Sequence, residues 1–166
     1  MGNTLRYYVE GQCEKHLIDS FKSGENPRFK TGKVEVFNIN NEILSKARMI
    51  SFTKGTTLVL IYDTDVKPTQ VFINNINMLK SNKNISHIYH VQSVENFEDE
   101  LVYSTCLKNI NKMFDTQSSS EFKTKFVNSN IVSKLNSLNF NHQKMWIHIP
   151  KNDFKNYPQN SKNIKL

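Results

Sequence analysis

Residues 4–105 alternate strand, helix, strand, helix through four cycles, and this order predicts an α/β domain built on a mostly parallel four-stranded sheet. Leu58-Val59-Leu60-Ile61 is apolar on both faces, as a central strand covered on both sides must be. Turn residues sit where the elements should change, at Glu10-Gly11, Gly24, Gly55 and Pro68.

Leu5–Val9, rich in Tyr and Val, reads as the first strand. A helix follows over Gln12–Phe21, with Leu17, Ile18 and Phe21 at helical spacing and Gly24 beyond its end. Lys33–Phe37 alternates charge with Val34 and Val36 and forms the second strand. Asn40/Asn41 can cap a second helix running to Phe52, with Ile43, Leu44, Ala47 and Ile50 on one face. Gly55 stands where a helix C-terminal glycine would. Thr56–Tyr62 is the strongest strand. Pro68 can open a third helix to Lys80, with Val71, Phe72, Ile76 and Leu79 inward. Ile85–Val91 is the fourth strand, and residues 94–106 read as the fourth helix.

The charge is unevenly spread. The 166 residues carry a formal +7, and residues 104–166 hold ten Lys against Asp115, Glu121 and Asp153, so the whole surplus lies there. A soft boundary near 104 divides residues 1–104 from a basic, mainly helical C-terminal extension, 105–166, expected to pack on the first part. Two Cys, Cys13 and Cys106, imply neither a disulfide framework nor a Cys-based zinc site. The longest apolar run is far too short to span a bilayer, and no apolar signal region opens the sequence, so a cytoplasmic protein with no membrane association is expected.

Parallel sheets bind ligands beyond the carboxyl ends of their strands. Glu10 falls there after the first strand, Asp63 and Asp65 after the third, and Ser93 and Glu95 after the fourth. Carboxylates gathered at one edge repel one another unless a cation neutralises them. An all-oxygen set selects a hard ion, Mg²⁺ or Mn²⁺. Glu14, four residues after Glu10 in the first helical turn, can face the same edge, although a Glu there also serves as a simple dipole partner. Glu95, Glu98, Asp99 and Glu100 read in the main as a solvated helix N-terminal face.

Tyr7-Tyr8-Val9-Glu10-Gly11-Gln12-Cys13-Glu14, followed by Leu58-Val59-Leu60-Ile61-Tyr62-Asp63-Thr64-Asp65, resembles the TOPRIM module of topoisomerases, primases and metal-dependent nucleases. The likeness covers residues 4–105. Its Glu-x-x-x-Glu form is most similar to the overcoming-lysogenization-defect nucleases and stand-alone TOPRIM proteins of phage defence. The resemblance implies a Rossmann-like fold and hydrolysis of phosphodiester bonds in RNA, tRNA among them, or DNA. It implies metal ligands at Glu10, Glu14, Asp63 and Asp65, with Glu95 or Glu98 as a further one, Glu95 being nearer the strand end. Glu10 would be the general acid/base. Lys67, nearest in sequence to the Asp63-x-Asp65 pair, or Lys144 would stabilise phosphate charge. No glycine follows the Asp pair, which departs from the family pattern. No Gly-x-x-x-x-Gly-Lys-[Ser/Thr] motif is present, so an ATPase partner would be a separate chain. A homo-oligomer is also compatible.

In the extension, Lys123, Lys125 and Lys134 alternate with Phe122, Phe126 and Leu135 in two expected helices. They and Lys144 suit a phosphate-facing surface, and equally a solvated face over a packed apolar one. Trp146 lies in an apolar strand-like run and is expected in the core or an interface. His87 and His90 are three apart in a strand, on opposite faces, so a shared metal is not expected. The last fifteen residues look poorly ordered. Two other readings stay open: a non-catalytic TOPRIM module that binds nucleic acid or an ATPase, and a receiver-like Mg²⁺-binding regulator. The receiver class pairs its acids after the first strand, whereas here the pair follows the third.

Overall fold

The computed structural model describes residues 4–166. Four strands, β1 (Leu5–Val9), β2 (Lys33–Val36), β3 (Thr56–Asp63) and β4 (Ile85–Ser93), form one sheet in the order β2-β1-β3-β4. Every pairing is parallel. The fold is thus α/β with an all-parallel sheet flanked by helices.

Period-two alternation sends each strand's side chains into two cores. Tyr7, Val9, Val59, Ile61 and Val91 face α1 (Gln12–Phe21), meeting its Leu17, Ile18 and Phe21. Tyr8, Leu58, Leu60 and Tyr62 face the opposite side, where Phe72, Ile76 and Leu79 of α3 (Gln70–Ser81) pack. The register aligns the strand ends, with Val9 beside both Val36 and Ile61, and Asp63 beside Ser93. Glu10 and Asp63 therefore leave the sheet along one edge.

The segment after β2 departs from the expected long helix. Only α2 (Lys46–Ile50) is helical, capped by Ser45, whose hydroxyl accepts from the Arg48 N–H. Ile43 and Ile50, expected to face inward, are 78% and 81% exposed, while Leu44 is buried. The reason lies in a distant residue. The buried Asn75 amide donates to the Ile39 and Glu42 carbonyls and accepts from the Leu44 N–H, so these backbone groups are satisfied without a helix.

Two other helices start later than the sequence suggests. Thr69 caps α3 through the Phe72 N–H, leaving Pro68 outside. Asn96 caps α4 (Phe97–Tyr103) through the Asp99 N–H. Glu95 cannot join α4, because its φ of 68° is left-handed.

Most of residues 105–166 pack on the α1 face, while Phe154 and Tyr157 join the core on the α3 side. Phe122 and Phe126 of α5 (Ser119–Val127), and Ile131 and Leu135 of α6 (Ile131–Ser137), share one core with Leu17, Phe97 and Leu101. Trp146 is fully buried as expected, but in a turn at φ 57° rather than a strand. The last fifteen residues are structured, contrary to the sequence reading. Phe154 and Ile164 are fully buried. The Asn160 side chain accepts from the His90 N–H, and the Asn160 N–H donates back to the His90 carbonyl. Gln159 repeats the exchange at Gln92. The tail thus satisfies the outer edge of β4, which would otherwise be open to pairing. Among the described residues, no helix is long and apolar enough to cross a membrane.

Candidate functional site

Glu10 follows the last residue of β1, and its carboxylate is held from two sides. Oε2 accepts from the Asp63 backbone N–H at 3.0 Å, and Oε1 from the Asn38 amide at 2.9 Å. The first bond spans two strand ends; the second reaches the loop after β2. Gly11, at the N-cap of α1, leaves room for the next carboxylate. A Cβ there would lie 3.1 Å from Glu14 Oε2.

Glu14 occupies the first turn of α1 and is only 5% exposed. No other residue's hydrogen bond or ion pair reaches its side chain among the described residues. Asp63 ends β3, and its Oδ1 is buried without a hydrogen-bond partner. Glu98, in the first turn of α4, closes the group, with Lys123 Nζ at 3.2 Å and Ser119 Oγ at 3.5 Å. Glu10, Glu14, Asp63, Glu98 and Lys123 line one pocket of about 220 Å³.

Crowding and burial shift these groups together. Burial raises Asp63 to about 9, helped by the charges of Glu14 and Glu10; the nearby Ser93 hydroxyl offsets part of this. Burial likewise raises Glu14 to about 7, with Glu10 and Glu98 pushing the same way. Glu10 is raised by burial, but the Asp63 N–H and the Asn38 amide pull against it. Burial lowers the Lys123 ammonium, and the Glu98 carboxylate more than reverses this. Without a cation, the pocket therefore favours retained protons.

The other anticipated residues lie elsewhere. Asp65 is exposed and does not line this pocket, although its charge reaches Glu10. Glu95 lines a separate cavity with His148 and Ile149, so of the two candidates Glu98 is the one beside Asp63. Lys67 and Lys144 are exposed and outside the pocket. Lys125 pairs with Glu121 at 2.9 Å, and Lys134 Nζ lies 5.6 Å from the Phe114 ring centre. Only Lys123 of the five lysines singled out from the sequence or its resemblance meets the carboxylates.

Asn38 and Ser119 escaped the sequence reading. The strand-end rule points to Asn38, two residues past β2; no sequence pattern marks Ser119. A larger cavity of about 450 Å³, beside His87, His90 and Tyr157, has no carboxylate in its wall.

The donor chemistry suits a hard divalent ion: four carboxylates, an orphaned buried oxygen on Asp63 and a Glu14 side chain that no other residue's donor reaches. As the side chains stand, no three His, Cys, Asp or Glu among the described residues form a group that could hold a metal. Comparison of the chain with family models, curated proteins and solved structures found no match.

Proposed function

We propose that this chain is a metal-dependent phosphodiesterase for nucleic acid, with a TOPRIM-like site. The observation that carries this reading is the pocket at the carboxyl edge of the sheet, where Glu10, Glu14, Asp63 and Glu98 meet and Asp63 Oδ1 has no partner. These four would hold Mg²⁺ or Mn²⁺, with Asp65 just outside. The bound ion would polarise a phosphate and make water a stronger acid.

The chain's own residues have distinct tasks. Glu10, oriented by the Asp63 N–H and Asn38, takes the proton of the attacking water. Lys123 neutralises phosphate charge at the pocket; Lys67 and Lys144 lie outside its wall. Exposed lysines of residues 105–166 attract the backbone of RNA or DNA. By resemblance, tRNA is the first substrate to try, a phage-defence effector the setting, and a separate ATPase chain or a second copy the protein partner.

A second reading is a binding-only module. It is favoured by the lack of a ready three-donor group among the described residues. Incubating the protein with tRNA, single-stranded DNA and plasmid, with Mn²⁺ or with EDTA, separates the two. Cleavage should need the metal and vanish in Glu10→Ala and Asp63→Ala while circular dichroism stays unchanged. Undiminished cleavage in both variants would sink the hydrolase reading.

A further inference from the structure

Thr64 lies between Asp63 and Asp65 and faces a second cavity, of about 320 Å³, shared with Val94, Glu95, His148, Ile149 and Pro150. The size and the mixed apolar and polar walls match the lower end of small-ligand sites. Its frame is firmly tied. The Thr64 N–H donates to the Ser93 and Glu95 carbonyls, each at 3.1 Å, and the Asn152 amide donates to the Thr64 carbonyl at 2.6 Å. Glu95 sits in this frame at φ 68°, a conformation costly for any residue with a side chain. Glycine would relieve it, yet the position carries a carboxylate. That carboxylate makes no hydrogen bond or ion pair among the described residues. Ile149 is 67% exposed, and the His148 ring stands 4.2 Å from that of Tyr103. Lys151 adds a cation to the rim.

We propose that this cavity receives one unstacked base of a single-stranded nucleic acid and that Glu95 selects guanine there. The inference rests on the phosphodiester reading of the neighbouring pocket. A carboxylate only accepts hydrogen bonds. Guanine presents N1–H and N2–H side by side, two donors for two oxygens. Adenine and cytosine set one amino group beside an acceptor, and uracil or thymine sets one imino group between two carbonyls. Ile149 and Pro150 offer an apolar wall to the base face, and Lys151 a charge to the adjoining phosphate. In a duplex the edge that Glu95 reads is already paired, so the site takes a single strand.

The test is fluorescence anisotropy on the full chain in EDTA, with labelled A-rich oligonucleotides carrying one guanine or one inosine, which lacks the N2 amino group. The guanine strand should bind roughly tenfold tighter than the inosine strand, the worth of one paired contact. Glu95→Gln should abolish that ratio. Glu95→Gly, which relieves the left-handed backbone, should abolish it in a folded protein. Equal binding of the two strands by the parent chain, or a ratio that survives both substitutions, overturns the proposal. Discrimination without metal-dependent cleavage overturns the hydrolase reading alone; cleavage without discrimination overturns the guanine site alone.

Discussion

Helix α4 places two glutamates, Glu98 and Glu100, in contrasting surroundings. Glu100 is 2% exposed and fully served: Oε1 accepts from the Val94 N–H at 3.1 Å, and Oε2 from the Trp146 N–H at 2.6 Å. It clamps the turn after β4 to the buried Trp146 turn, whose indole N–H donates to Ser93 Oγ. Burial raises its pKa, but both backbone donors and the charges of His148 and Lys165 pull it down. Glu98 instead faces Glu14 and Asp63, where carboxylates outnumber donors and Asp63 Oδ1 is left bare. A carboxylate that holds a fold together is supplied with donors by that fold. In the pocket, by contrast, Asp63 Oδ1 is left without a donor, as a group proposed to meet an ion requires.

This contrast can be broken by experiment. Removing Asp63 or Glu10 should cut metal-dependent cleavage by on the order of 100-fold or more, as expected when a charge-stabilising group is lost. Glu100→Ala should leave two buried N–H groups unpaired and lower stability by about 3 kcal/mol in chemical denaturation. A loss under ~0.5 kcal/mol would show that the clamp is not structural.

Asp63→Asn should act in the opposite direction, stabilising the metal-free protein by on the order of 1 kcal/mol at pH 8. With its folded pKa raised from 3.8 to about 9, Asp63 stays protonated in the native state while the unfolded chain has released its proton. Its contribution is therefore full below about pH 4 and is lost as pH rises toward 9. Melting temperature in EDTA should fall over that range, less so in Asp63→Asn, and Mg²⁺ should restore stability most at the alkaline end. A metal-free melting temperature that rises across this range in both proteins would contradict the arrangement.

The smallest expected effect is at Lys123. Lys123→Gln should lower cleavage roughly tenfold and flatten the salt dependence of nucleic-acid binding. Lys125→Gln, at a residue tied to Glu121, should change either by less than about twofold.

Glu10, Glu14 and Asp63 were legible because the strand pattern puts them at one sheet edge, and strand ends are local signals. Asp65 carries the same signal but turns outward, since Thr64 bends the chain to bond Ser93 and Glu95. The choice of Glu98 over Glu95 was not legible. It depends on the left-handed turn at Glu95 and on the Asn96 cap, which fix where α4 begins and which way its first turn points.

By itself, the sequence determined the alternation of strands and helices, the central place of β3, the sheet edge that gathers carboxylates and the basic character of residues 104–166. Those properties follow from side-chain periodicity, turn residues and charge, all local in the chain. Tertiary structure alone decided that Asn75 would unwind the segment after Asn40, that the final residues would close the edge of β4, and that Lys123, 113 positions after Glu10, would stand over the acidic pocket. Each depends on groups brought together across the fold to satisfy buried hydrogen bonds or balance charge, and no neighbouring residue in the chain signals them.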